Sequence, residues 1–240
     1  MNFIKVPFFT LFLCLGVFAT EVQPVIGWDF DRMENGVVVS ADGKSPAKVI
    51  RSDHVTAVSG KLGNAVRIGG KYKGNQAGAL SVRNFKFDFT RPFTVEIVVR
   101  FEGKIERKQR REIFSMADTE HGPGIRFSLY YDSLEVSTGD GKKTNQLRTS
   151  NSILQVSPDQ WHLLTITGNG KKLTIYYDGV QAAEKEMKIM PAKKTKFLSI
   201  GSYKNGLAYP LKGAIDELRF YDFCKTSAQI AERYISIFGE

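Results

Sequence analysis

The chain has 240 residues, of which 42% are hydrophobic, and a formal net charge of +9 at pH 7. This length suits one large domain whose core needs no disulfide support, and the positive balance favours anionic partners. The sequence contains neither a zinc-ligand spacing nor a recognition-helix pattern, so nucleic acid is not an expected partner.

Residues 1–19 predict a secretory signal peptide. Lys5 is their only charged residue, an apolar run follows it, and a small-residue cleavage pattern ends at Ala19. The run is too short to cross a bilayer, and no later segment approaches the ~20 apolar residues that a span needs. We expect a secreted protein, in the periplasm, at the cell surface or outside the cell, with residues 20–240 as a single domain and no membrane insertion. Cys224 is then the only cysteine, so no intrachain disulfide is expected.

Short segments bounded by glycine, asparagine, aspartate or serine predict β-strands along the chain. The clearest is Phe93–Phe101, in which apolar and polar residues alternate as in a half-buried antiparallel strand. Asp178-Gly179 predicts a two-residue type I′ hairpin turn, because both positions of that turn need positive φ. The other predicted strands are Ala65–Ile68, Ala79–Val82, Ile113–Met116, Ile125–Tyr131, Trp161–Thr167 and Leu173–Tyr177.

One helix is predicted near the C-terminal end. Thr226 and Gln229 have capping-box spacing, and Ile230, Tyr234 and Phe238 follow at every fourth position. Many short strands with a single terminal helix indicate an all-β protein, either an antiparallel sandwich or a barrel.

Asp216 stands in the apolar segment Gly213–Tyr221. Strict alternation places it on one face with Ala214, Leu218 and Phe220, where an unpaired carboxylate costs several kcal/mol. We therefore expect a compensating partner. The sequence leaves two alternatives open: a Ca²⁺ ion held with nearby backbone carbonyls, and backbone N–H groups at the end of the strand.

Catalytic residues are not apparent. Most glycosidases need two carboxylates about 5–5.5 Å apart for retention or about 6.5–9.5 Å apart for inversion. The nearest pattern, Asp118-Thr-Glu-His121, precedes a Gly-Pro-Gly sequence and indicates a surface loop. The three histidines show no metal-ligand spacing. We expect a protein that is not an enzyme.

Two loops carry tyrosines suited to stacking on sugar rings. Tyr72 lies in a glycine-rich loop, and Tyr203 and Tyr209 flank Asn205; these four are the candidate ligand-binding residues. Basic residues also form two clusters, which are either solvated loops or a patch for sulfated or carboxylated polysaccharide. The clusters are Lys104, Arg107, Lys108, Arg110 and Arg111, and Lys185, Lys188, Lys193, Lys194 and Lys196.

Five segments occur in an order that resembles a known family. They are Trp28-Asp-Phe-Asp31, Gly60–Gly69, Phe93–Arg100, the hairpin from Trp161-His162 to Tyr177-Asp-Gly179, and Gly213–Tyr221. Together they resemble the laminin-G-like, concanavalin A-like jelly-roll family of secreted bacterial domains. The likeness departs after Tyr221, where Lys225 and Gln229 replace the leucine and glutamate usual in the family.

The resemblance implies two facing antiparallel sheets in a jelly-roll sandwich. It also implies a structural calcium ion held by Asp216, with Asp29 as a second ligand and the Gly69 region as a backbone donor. The family includes lectins, hydrolases, lyases and adhesion modules. We expect a non-catalytic module that binds a polysaccharide or glycoconjugate, anionic ones included. The alternatives are a glycoside hydrolase or polysaccharide lyase of this fold, and a protein-binding adhesion or scaffold domain.

Overall fold

The computed structural model describes residues 22–106, 109–116, 124–150, 156–187 and 197–239. The predicted signal peptide and the segment 118–121 lie outside these residues. In the described ranges, no helix is both long and apolar enough to cross a membrane.

The described residues form two antiparallel sheets, one α-helix and a short 3-10 turn at Ser52–His54, which confirms the predicted all-β jelly-roll sandwich with a C-terminal helix. In chain order the strands are β1 Ile26–Trp28, β2 Met33–Glu34, β3 Val37–Val38, β4 Ala47–Ile50, β5 Val55–Ser59, β6 Asn64–Ile68, β7 Ala79–Arg83, β8 Phe93–Phe101, β9 Arg110–Ser115, β10 Gly124–Tyr130, β11 Ser133–Gly139, β12 Thr144–Arg148, β13 Trp161–Gly168, β14 Lys172–Tyr177, β15 Val180–Glu186, β16 Phe197–Ile200 and β17 Gly213–Tyr221, and the helix is α1 Ser227–Phe238. The first sheet has the order β15-β14-β13-β8-β17-β6-β5, with β1 also paired to β17. The second has the order β12-β11-β10-β9-β16-β7-β4-β3-β2.

An aromatic cluster fills the space between the two sheets. The ring of Phe220 lies 6.2 Å from Trp28 and 5.2 Å from Phe85, and 6.1 Å from Phe114 of the opposite sheet, centroid to centroid. Aromatic side chains bury about 150–250 Å² each, so such a cluster contributes much of the hydrophobic stabilisation. It fixes β17 against β9 and thereby positions the outer face of the second sheet.

Two local predictions are confirmed in detail. Asp178 and Gly179 have φ values of 49° and 81°, as the predicted hairpin turn requires. The side chain of Thr226 accepts a hydrogen bond from Gln229 N while the Gln229 side chain accepts one from Thr226 N, which is the predicted capping box.

Strand β8 is buried on both faces, and the prediction that it is half-buried is wrong. The apolar side chains of one face, from Phe93 to Phe101 at alternate positions, enter the core. Its other face lies under helix α1, which packs Ile237 against Val98 and Leu163. The polar positions Thr94 and Glu96 are therefore buried as well.

Strand β17 contains a β-bulge at Asp216. The pairing with β8 shifts register between Ile215 and Glu217, so Asp216 is an extra residue. Ile215 and Leu218 both enter the core although they are three positions apart. The alternation argument that placed Asp216 on one face with Leu218 is therefore wrong, because a bulge reverses the alternation.

Candidate binding site

The outer face of the second sheet is polar along strands β9 to β12. Strand β10 shows why: Phe127 and Leu129 enter the core, and the alternate residues Arg126, Ser128 and Tyr130 point outward. This face bounds an open groove of about 1020 Å³, which we call the tyrosine groove. It is lined by Tyr72, Arg110, Arg126, Tyr130, Glu135, Ser137, Lys142, Lys143, Thr144, Asn145, Gln146, Lys185, Tyr203 and Tyr209.

Three of the four predicted ligand-binding residues meet in this groove. The ring of Tyr209 lies 5.1 Å from that of Tyr72 and 5.8 Å from that of Tyr203. All three side chains are half-buried. Hydrogen bonds from main-chain N–H groups fix Tyr72 and Tyr209. Tyr209 N donates to Tyr72 O at 3.1 Å, and Arg110 N donates to the Tyr72 hydroxyl at 3.1 Å.

The loop between β16 and β17 is held by buried serines. Ser199 Oγ donates to Ser202 O at 2.7 Å and accepts from Asn205 N at 2.9 Å. Ser202 Oγ accepts from Gly206 N at 2.8 Å. Gly206 has a φ of 91°, and a Cβ there would meet Ala77 O at 2.5 Å, so the loop needs glycine at this point. The backbone that carries Tyr203 and Tyr209 is therefore fixed.

Asn205, the fourth predicted residue, does not line the tyrosine groove. It borders a smaller cavity of about 450 Å³ beside β3, β4 and β7. Its Oδ1 atom is buried and has no hydrogen-bond partner among the described residues. The structure thus separates Asn205 from the three tyrosines.

Glu112 holds Arg126 over the ring of Tyr203. The carboxylate is fully buried and accepts two hydrogen bonds from Arg126, each 2.9 Å long. The guanidinium carbon lies 4.3 Å from the centroid of Tyr203. Such a bidentate pair fixes the guanidinium plane, so Arg126 and Tyr203 form one rigid stacked unit.

Glu135 holds two further arginines beside Tyr130. Its buried carboxylate accepts from Arg110 Nη1 at 2.7 Å and from Arg148 Nε. The guanidinium carbons of Arg110 and Arg148 lie 4.2 and 5.0 Å from the Tyr130 centroid. Burial pushes the pKa of Glu135 up, but the two arginines outweigh it, so this pKa lies below its ordinary value.

Sequence reasoning missed Arg126, Tyr130 and Glu135. A signal for the first two was present, since Arg126-x-Ser-x-Tyr130 supplies the polar half of a predicted strand. Their convergence with Tyr203 depends on the pairing of β16 with β9, which joins residues far apart in the sequence.

The first basic cluster does not form one patch. Arg110 lines the groove, whereas its neighbour Arg111 is buried and donates to the carbonyls of Glu102, Lys104 and Lys212. Of the second cluster, Lys185 lines the groove; the other four lysines lie outside the described residues.

Asp216 uses one carboxylate oxygen to fix a neighbouring hairpin. Oδ2 accepts from Lys61 N and, at 2.8 Å, from Leu62 N. This is the backbone alternative that the sequence left open. Oδ1 is buried and has no hydrogen-bond partner among the residues described. Burial is the main cause that raises the pKa of Asp216, and the two N–H donors offset it in part.

The residues around Asp216 fit a hard cation in chemistry but differ from the predicted ligand set. Asp31, whose charge also raises the pKa of Asp216, stands at the same hairpin and accepts from Asn64 N at 2.8 Å. Asp29 is exposed and accepts from Asp31 N. The backbone beside Asp216 is that of Gly60, not Gly69. The described residues contain no group of three or more His, Cys, Asp or Glu side chains arranged for a metal.

Two buried carboxylates, Glu112 and Glu135, lie on the groove face and could be considered as the acid pair of a glycosidase. Glu112 and Glu135 each pair in register with Ser128, from its two sides. They are thus two strands apart, about 10 Å between the strand axes. A glycosidase acid needs a raised pKa, whereas Glu135 is paired with two arginines and its pKa is lowered. This pairing weighs against an acid role.

His162 lies in the other sheet and has a structural setting. It is buried on β13, with Nδ1 2.9 Å from Asp178 Oδ2 and Nε2 2.9 Å from Ser157 O. Asp178 Oδ1 also accepts from Leu163 N at 2.9 Å. The network ties the turn between β14 and β15 to β13.

Comparison with known families assigns the fold. The laminin G-like family model described as the concanavalin A-like lectin/glucanases superfamily matches residues 73–231. The chain therefore belongs to this superfamily, as the sequence landmarks predicted. No curated protein sequence matches the chain.

Solved structures with the same fold include binding domains. Domain 4 of AbnA, an extracellular arabinanase from Geobacillus stearothermophilus solved with arabinotriose, has a TM-score of 0.64 and 17% identity, over 88% of this chain and 97% of that one. The botulinum neurotoxin DC binding domain in complex with SialylT has a TM-score of 0.67 and 11% identity, over 90% of this chain and 52% of that one. This chain thus spans about half the length of the neurotoxin domain. Identities this low show the shared fold alone.

Proposed function

We propose that the protein is a secreted, non-catalytic module that binds carbohydrate in the tyrosine groove. The observation that carries the proposal is the convergence of Tyr72, Tyr203 and Tyr209 from two separate loops onto one open, polar groove. Aromatic rings supply flat apolar surface for sugar rings, and the polar lining supplies hydrogen-bond partners that orient them.

The similar structures support a binding role. One is described in complex with arabinotriose, one with SialylT, and a neurotoxin type C study reports interaction with two ganglioside molecules. The neurotoxin DC binding domain is also described in complex with rat synaptotagmin II, a protein. A protein partner is therefore the second candidate. The open groove favours a glycan, because protein interfaces have an apolar core that this polar face lacks.

Retention on immobilised polysaccharides tests the proposal. We would compare the purified secreted chain with the double variant Tyr203→Ala, Tyr209→Ala, and with Tyr234→Ala, a half-buried tyrosine of α1, as a matched control. We expect wild type and control to be retained selectively and the double variant to be lost, because the double variant removes two of the three rings that offer a flat apolar surface to a sugar. Equal retention of all three proteins contradicts the site.

The same assay tests the absence of catalysis. Glu112 and Glu135 are neutralised by arginines, so we expect no newly released sugar ends after prolonged incubation with each retained polysaccharide. Release of ends by the wild type would overturn the non-catalytic assignment. No retention on any polysaccharide would favour the protein partner.

A structural calcium ion is part of the proposal. Asp216 Oδ1 and the Asp31 carboxylate would hold it, together with backbone oxygens of the hairpin at Gly60, and it would neutralise a buried carboxylate. Because burial raises the folded-state pKa of Asp216, the stability this group contributes is lost as pH rises through that pKa. Calcium should therefore stabilise the fold more at neutral than at acidic pH.

Thermal unfolding with calcium and with EDTA tests this part. We expect calcium to raise the Tm of wild type and of the exposed-residue control Asp53→Asn, and to leave the Tm of Asp216→Asn unchanged. An unchanged Tm of the wild type with EDTA and calcium contradicts the calcium site. The result does not bear on the tyrosine groove.

A further inference from the structure

The tyrosine groove is strongly cationic. Its lining contains five basic side chains and one acidic side chain. The basic residues are Arg110, Arg126, Lys142, Lys143 and Lys185, and the acidic one is Glu135. Arg148 adds a sixth positive charge beside Tyr130. Such a concentration of one sign raises the local concentration of oppositely charged ligands.

The acidic residues near the groove do not cancel this charge. Glu112 offsets Arg126, and Glu135 offsets one of its two arginines. Asp140, in the turn before β12, accepts from the backbone N–H groups of Lys142 and Lys143 and offsets one lysine. Three positive charges are therefore left over in this part of the described surface.

The arginines are held ready for an anion. The Glu135 side chain has no exposed surface, and each of its carboxylate oxygens accepts a hydrogen bond from one arginine. The side chain of Arg148 is 45% exposed and uses Nε for Glu135. Its two terminal nitrogens have no hydrogen-bond partner within the described ranges. Guanidinium groups fixed in this way recognise carboxylate or sulfate oxygens with little ordering cost.

Lys142 and Lys143 extend the positive charge along the rim. They belong to the turn Asp140-Gly-Lys-Lys143, in which Asp140 Oδ1 accepts from both lysine N–H groups at 2.8 Å. The first sheet repeats this turn as Asn169-Gly-Lys-Lys172, where Asn169 Oδ1 accepts at 3.0 and 2.8 Å. Only the first turn borders the groove. The second is a matched control within the same chain.

We propose that the ligand of the tyrosine groove is an acidic polysaccharide. Its carboxylate or sulfate groups contact Arg148 and Arg110 next to Tyr130, and the lysine rim receives the following acidic groups of the chain. This inference rests on the proposed function and names its substrate class. Carboxylate and sulfate are two sources of the same anionic chemistry.

Matched pairs of polymers test the charge requirement. The probes are polygalacturonate against its fully methyl-esterified form, dextran sulfate against dextran, and single-stranded DNA as a non-glycan polyanion. We expect at least one acidic glycan to bind roughly tenfold or more tightly than its neutral counterpart and than DNA, and to lose affinity as salt rises. Preferential binding of polygalacturonate would identify carboxylate as the recognised group, and preferential binding of dextran sulfate would identify sulfate.

Two double variants locate the charge. Lys142→Gln with Lys143→Gln should weaken binding of the preferred acidic glycan about fivefold or more, whereas Lys171→Gln with Lys172→Gln should change it less than about twofold. Both variants remove two charges, so equal effects would show that only overall charge matters and would overturn the inference. Equal or tighter binding of DNA would also overturn it.

The two proposals fail in different ways. Retention on neutral glycans alone, still dependent on Tyr203 and Tyr209, would overturn the acidic-ligand inference and leave the carbohydrate module standing. Absence of any glycan binding would overturn both.

Discussion

The outer faces of the two sheets carry nearly the same chemistry, and the clearest difference is Arg148 of the second sheet, whose side chain is 45% exposed. On the first sheet, Glu96 and Glu217 pair with three basic side chains next to Tyr221; on the second, Glu112 and Glu135 pair with three arginines next to tyrosines. The basic residues of the first cluster are Arg219, Lys225 and Arg233.

Helix α1 makes the difference between these clusters. The helix places Arg233 over the first sheet. Lys225, which precedes the helix in the chain, forms an ion pair with Glu96 at 2.7 Å, and only 8% of its side chain is exposed. The second cluster has no such cover in the described residues, and 45% of the Arg148 side chain is exposed. Composition alone therefore does not distinguish the two clusters, whereas the covering helix does.

The largest expected effect is a loss of unfolding free energy when the cluster under helix α1 is altered. Glu96→Gln removes the carboxylate that receives Lys225 Nζ and, at 3.0 Å, the Tyr221 hydroxyl. A buried cation then loses its partner, which costs about 3–5 kcal/mol of unfolding free energy in comparable cases. Urea unfolding measures the loss, and Glu184→Gln, from an exposed ion pair with Lys172, is the control with a much smaller change. Variant protein that remains folded should keep its glycan retention.

A smaller loss of stability is expected on the open face. Glu135→Gln removes the partner of Arg110 and Arg148. Because Arg148 is 45% exposed and water can replace its lost partner, whereas Arg110 is only 14% exposed, we expect a loss of about 1–3 kcal/mol in the same urea experiment. A loss greater than that of Glu96→Gln would contradict the distinction between a covered and an open cluster.

Substitution of Arg148 should separate binding from stability. Its side chain is half-exposed, so Arg148→Gln should change the unfolding free energy by less than about 1 kcal/mol. Retention on an acidic polysaccharide should nevertheless fall several-fold. A variant with unchanged retention would remove Arg148 from the site.

The smallest expected effect is a change in acid stability. The folded-state pKa of Glu135 lies below its ordinary value of 4.5, so its contribution is present above that value and is lost as pH falls through the folded pKa. The unfolding free energy of Glu135→Gln should therefore decline less steeply below about pH 4.5 than that of the wild type. Parallel declines would show that Glu135 is not held by its arginines.

Local patterns predicted most of the fold. The strand from Phe93, the turn at Asp178-Gly179 and the cap at Thr226 depend on neighbouring residues, so periodicity and turn chemistry suffice for them. The bulge at Asp216 was not predictable, because it depends on the pairing of β17 with β8. The shift of register leaves Leu218 and Phe220 in the core, as the alternation predicted, but puts Ile215 rather than Ala214 and Asp216 on their side of the sheet.

The site could be predicted only in part. Loop composition selected Tyr72, Tyr203 and Tyr209, since tyrosines beside glycine and asparagine indicate exposed turns. Asn205, chosen on the same grounds, faces another cavity, because the loop backbone turns between it and Tyr203. The arginines held by Glu112 and Glu135 depend on strand order, which the chain's local patterns do not encode.

Chemical-shift mapping of the ¹⁵N-labelled protein during titration with oligogalacturonate tests the central claim most directly. The account predicts that amide resonances near Arg126, Tyr203 and Tyr209 shift with ligand, while those around Glu96 and Lys225 under helix α1 do not. Shifts concentrated around α1, or no shifts with this or any sulfated oligosaccharide, would contradict the assignment of the open face as the ligand-binding face.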